Sequence, residues 1–141
     1  MTLEGIVAAV TAAWVGDPKS DVVWAGDHEG RRGVRMRQTV RDFTTVWFEV
    51  GDRTLGIEAG MIPEPRFHHL EVYRQCLVRN TSTRRLHFAV DGEGEVLLVG
   101  RIPAEEVTPH ELELVLGEAW NLVEVAFPPL VRLAFSREKE T

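Results

Sequence analysis

His68 and His69 stand side by side with Glu71 three residues beyond His68, the spacing at which a histidine and a carboxylate on one helix face share a metal ion. A closed site needs more donors than two. The remaining histidines are His28, His87 and His110, the last in the first turn of an expected helix, so the set reads as solvated or cap-proximal side chains and no metal is expected. Cys76 is the single cysteine. A reactive thiolate wants an accessible, electropositive setting with a base nearby, and although Arg79 is three residues on, Cys76 falls on the apolar side of a helix and reads as inert core. Glu105 and Glu106 precede a helix start, where paired carboxylates complement the helix dipole. No Gly-x-Ser-x-Gly elbow, phosphate-binding glycine loop or dinucleotide fingerprint follows a strand, so the expectation is no catalytic residue, no cofactor and no enzyme.

The most suggestive surface is basic. Arg35, Arg37 and Arg41 alternate with Val34, Met36 and Val40, with Arg31 and Arg32 leading in, and Trp47 falls on the same face of the neighbouring strand. Such a stripe can track phosphates while the indole stacks a base. It can equally be a solvated face with cross-strand pairs to Glu49 or Glu58. The whole chain carries a formal charge of −6, whereas a nucleic-acid domain is usually basic, so nucleic acid stands as the alternative partner and not the first. The charge is blocked: residues 1–30 and 86–141 are acidic, and residues 31–85 carry the excess of arginine.

A chain of 141 residues with 44% hydrophobic and 27% charged residues can bury one core, which excludes wholesale disorder and a collagen-like repeat. No unbroken apolar run approaches the roughly 20 residues a bilayer requires, so no membrane is expected. A lone cysteine argues against a disulfide-built domain. The N-terminus is apolar without a positive leader and carries Glu4, so a cytoplasmic location is expected.

The elements that must hold these residues follow from periodicity. Leu3, Ile6, Val7, Val10 and Trp14 predict a first helix; DVVWAG is ambiguous between strand and helix end. Residues 33–61 alternate in three runs joined by short loops at Arg41–Phe43 and Gly51–Arg53, a meander. Phe67, Leu70, Tyr73, Cys76 and Leu77 predict a second helix, ended near Asn80 by a left-handed cap. Leu86 to Ile102 predicts a hairpin turning at Asp91–Gly94. Thr108, Pro109 and Glu111 start a third helix, which should end or kink at Pro128 and Pro129 before a short turn, and residues 136–141 should fray. The order α-β-β-β-α-β-β-α predicts an α+β fold, a five-stranded antiparallel sheet with helices on one face, as a single domain over residues 1–141 with its core in 33–135.

VWFEVGDRTLGIEAGMIPEP, LEVYRQCLVRNTS and LHFAVDGEGEVLLVGRI through LVRLAF resemble the YbjN domain family, most specifically at Glu71, Tyr73, Arg79 and Asn80, at Gly100 and Arg101, and in the final LVRLAF. That resemblance implies the fold of type III secretion chaperones, a regulatory or chaperone-like role with no agreed reaction, binding of an extended protein or peptide client, and pairing as homodimers. An open sheet face carrying Trp47, with Trp120 off the main stripe of the third helix, puts both residues in the expected partner-binding or dimer surface. The alternative for Trp120 is packing on the first helix.

Overall fold

The structure, a computed structural model, describes residues 2–137. Its elements are α1 (Leu3–Val15), β1 (Val22–His28), β2 (Arg31–Arg37), β3 (Phe43–Val50), β4 (Thr54–Ile62), α2 (His69–Arg79), β5 (His87–Val90), β6 (Val96–Pro103) and α3 (Pro109–Phe135), the last preceded by a short 3-10 turn. The strands form one antiparallel sheet in the order β1-β2-β3-β4-β6-β5, with three helices gathered on one face. The expected α+β architecture is present with one strand more than the five predicted.

The sixth strand is the ambiguous DVVWAG segment. Glu29 and Gly30 both take positive φ, 51° and 80°, between the paired residues His28 and Arg31. Two left-handed residues in a two-residue loop match the right-handed twist of an antiparallel ribbon, so this turn makes a hairpin of β1 and β2.

Alternation then sorts the meander. Val34, Met36, Val46, Phe48, Leu55, Ile57 and Ala59 are buried on the inner face, with Phe88 and Leu98 from the second hairpin. α1 contributes Val7 and Trp14, α2 contributes Val72 and Cys76, and α3 lays Leu112, Val115, Ala119, Val123, Ala126, Leu130 and Leu133 along the sheet. Thr108 Oγ1 accepts from the Glu111 N–H at 3.1 Å, the expected N-cap, with Pro109 at the helix start.

α3 does not end at its prolines. It runs through Pro128 and Pro129 to Phe135, because Leu130, Leu133 and Ala134 beyond them are buried and the Ala134 carbonyl accepts from the Arg66 and Phe67 N–H groups. Core packing of the last two turns outweighs the missing proline donors. α3 is also the one described helix with the length and mean hydropathy, 27 residues and 1.3, of a membrane span. Its apolar stripe is taken up by the sheet, and Glu111, Glu113, Glu118 and Glu124 line its other sides. Of the tail expected to fray, residues 138–141 lie outside the described residues.

Asn80 departs from the expected cap. It has right-handed φ and ψ of −61° and −17°; the left-handed residue of this segment is His68, at the other end of α2. The Asn80 carboxamide instead pairs with the edge strand: Nδ2 donates to the Phe88 carbonyl at 3.0 Å and Oδ1 accepts from the Phe88 N–H at 2.6 Å. One side chain thus satisfies both main-chain groups of a β5 residue at the sheet edge.

Candidate functional site

The open face of the sheet is built around two glycines. Gly33 pairs with Gly26 on one side and with Trp47 on the other. A Cβ at Gly33 would lie 2.6 Å from the Trp47 ring and 2.9 Å from that of Trp24, so the absent side chain is what lets both indoles lie across the strands. The rings meet edge to face, with centroids 6.5 Å apart and planes at 72°. Arg31 stacks over Trp47 at 4.9 Å and Arg35 over Trp24 at 5.4 Å. Arg31 also pairs with Glu58 at 3.1 Å, one of the cross-strand pairs the sequence suggests. Trp24 was absent from the sequence reading of this face because its strand was not assigned.

Arg35 and Arg37 are exposed on this face as expected, with Trp47 half-buried between them and Glu58. Arg41 is elsewhere. The alternation stops at Arg37 because Glu124 of α3 accepts hydrogen bonds from Gln38 Nε2, the Thr39 N–H and hydroxyl, and the Val40 N–H, curling residues 38–42 into a loop. Arg41 then turns onto α3, donating to the Met61 and Gly60 carbonyls at 2.8 Å each and stacking on Phe127 at 4.8 Å. Burial lowers its pKa from the usual arginine value. Arg32 also leaves the stripe: it lies on the inner face and donates to Thr11 Oγ1 and the Ala8 carbonyl of α1. The stripe is shorter than five alternating arginines, and two of those that remain near it are held by tryptophans.

Trp120 is not on the open face. Its Nε1 donates to the Arg37 carbonyl at 2.9 Å from the helix side, and its ring walls a groove of about 320 Å³ with Trp14, Met36, Leu116 and Gly117, rimmed by Asp17, Asp21 and Glu113. Trp120 and Trp47 therefore belong to different surfaces, and Trp120 shares its groove with Trp14 of α1.

Among the described residues, the two most exposed large aliphatic side chains are on α2. Leu70 and Leu77, expected on the core side, are 79% and 69% exposed, and Val78 beside them is 54% exposed. The helix is apolar on two sides, and docking against α3 and β5 selects the side with Val72 and Cys76. Cys76 is buried as expected, and that burial pushes its thiol up to about 11 against the opposing pull of Arg79. Among the described residues, no three histidine, cysteine, aspartate or glutamate side chains come together as a metal site.

No family model matches the chain. An uncharacterized protein of Mycobacterium leprae is 32% identical over 92 residues, covering 65% of this chain and 50% of that protein. Uncharacterized proteins of Mycobacterium bovis and Mycobacterium tuberculosis are each 30% identical over 86 residues, 61% of this chain and 47% of theirs. The chain thus spans about half the length of the curated relatives it matches. Among solved structures, a chain of the ExsC-ExsE complex is similar with a TM-score of 0.62 at 18% identity, covering 98% of this chain and 100% of that one. At that identity the likeness shows the fold alone, an antiparallel sheet with helices on one face.

Proposed function

We propose that this chain is a non-enzymatic, cytoplasmic, chaperone-like module of the YbjN type that binds a protein or peptide partner and pairs with a second copy of itself through α2. The observation that carries the reading is the exposure of Leu70 and Leu77, two turns apart on one side of α2, with Val78 a quarter-turn round, each more than half open to solvent among the described residues. Large exposed aliphatic side chains grouped on one element favour a protein contact. Arg74 and Glu71 are exposed on the same turns, and a base and an acid on one helix face supply the self-complementary charges a two-fold contact uses. The fold neighbour, a chain taken from a complex of two proteins, supports partner binding as the coarse role. The open face supports an anionic partner less well, since Arg41 and Arg32 are turned away from it and Arg31 is already paired.

Light scattering at micromolar concentration tests the pairing. The expected result is twice the chain mass for the wild type and one chain mass for Leu70→Asp with Leu77→Asp, with an unchanged far-UV circular dichroism spectrum because both positions are exposed in the single chain. Trp47→Ala and Trp120→Ala should leave the mass unchanged. A monomeric wild type, or a double variant that stays dimeric, overturns the α2 contact.

A further inference from the structure

The groove between α1 and α3 takes no part in the contact just described. Its lining is apolar where it is buried, at Trp14 and Met36 with the half-buried Leu116 and Trp120, and acidic where it is exposed, at Asp17, Asp21 and Glu113, with Ser20 between. Among the described residues no basic side chain lines it: Lys19, in the adjoining turn, is absent from the lining, and Arg37 falls on the other face of the sheet. Among the described residues the Asp21 and Glu113 carboxylates have no hydrogen bond or ion pair. The Trp120 N–H is tied to the Arg37 carbonyl, which holds the ring in place.

Gly117 completes the feature. It sits inside α3, where glycine is a poor helix former, and a Cβ placed there meets nothing within 4 Å. No packing demand of the chain explains the missing side chain; what its absence does is keep the groove open.

We infer that this groove receives an arginine or lysine side chain from an extended, partly apolar segment of a partner protein. Aromatic faces attract a cation, the carboxylates at the rim meet its charge, and Met36 and Leu116 cover its methylene stem. The separation of an apolar floor from an acidic rim fits a long side chain with its charge at the tip better than a compact cation, whose charge would lie against the floor. The inference deepens the proposed partner-binding role by naming the partner's chemistry, and it uses none of the α2 surface.

An NMR titration of the full chain with the acetylated, amidated tripeptide Leu-Arg-Leu, its Leu-Gln-Leu counterpart and tetramethylammonium chloride tests it. Leu-Arg-Leu should shift the indole N–H resonances of Trp14 and Trp120 and leave those of Trp24 and Trp47 in place. The glutamine peptide should bind at least ~10-fold more weakly, and so should Leu-Arg-Leu to Asp21→Asn with Glu113→Gln. Gly117→Leu should abolish the shifts while holding or raising the melting temperature, since the added side chain enters open space in a helix it favours. No shift with Leu-Arg-Leu, equal binding of the glutamine peptide, or undiminished binding to Gly117→Leu overturns the inference, as does tetramethylammonium binding as tightly as the peptide. The masses measured for the α2 variants report on the pairing separately, so a failure of the groove and a failure of the dimer are distinguishable.

Discussion

The two faces of this sheet solve the same problem in different ways. On the inner face Phe48, Val46, Ile57 and Leu98 are buried beneath three helices. On the outer face no helix arrives, and the sheet covers itself: Trp24 and Trp47 lie over the Gly26–Gly33 pair, and the guanidinium groups of Arg31 and Arg35 lie over the indoles. Long amphipathic side chains shield a single-layer sheet while keeping their charges in solvent. An aromatic residue on an uncovered face is therefore poor evidence for a partner when arginines already stack on it. The unpartnered apolar surface lies instead on α2, a helix whose other side is in the core.

Neighbouring residues on β3 point to opposite faces and give the sharpest test of this contrast. Phe48→Ala should cost about 3–5 kcal/mol in urea melts, since the ring is fully buried and leaves a cavity. Trp47→Ala should cost less, about 1–2 kcal/mol, for a half-buried ring and one lost cation–π contact. Equal losses would mean that the outer layer is as much a core as the inner one. The smallest effect concerns how the covered face is held to its loops. Burial favours the protonated form of Glu124, but the hydrogen bonds from Thr39, Gln38 and Val40 outweigh it and hold the carboxyl below the ordinary glutamate range. A depressed pKa adds stability above that range and loses it as pH falls through and below it. Wild type should thus lose more stability on acidification than Glu124→Gln, and parallel pH curves would remove Glu124 from this role.

Much of this was legible in the residue order and some was not. The meander, the second hairpin and the Thr108 cap follow from alternation and local hydrogen bonding, which neighbours in sequence decide. β1 was not legible, because its strand character rests on pairing with β2 through a turn at which a glutamate takes positive φ. The shortened arginine stripe was not either. Arg41 continues the two-residue period, yet the loop before it is set by Glu124, more than eighty residues away in the chain. The groove between α1 and α3 had a trace in the sequence, a glycine within a helix pattern, but its walls come from four separate segments.

α2 shows where the division falls. Its sequence determines a helix with two apolar sides, because Leu70 and Leu77 lie on one side and Val72 and Cys76 on the other. Which side is buried depends on where α3 and β5 stand, and only the tertiary structure decided it. Periodicity records which residues share a side, and the burial of that side is a property of its neighbours. Composition and order thus determined an antiparallel sheet with helices on one face. The tertiary structure decided that the tryptophans close the open face, that Trp120 walls a separate groove, and that Leu70, Leu77 and Val78 are left exposed.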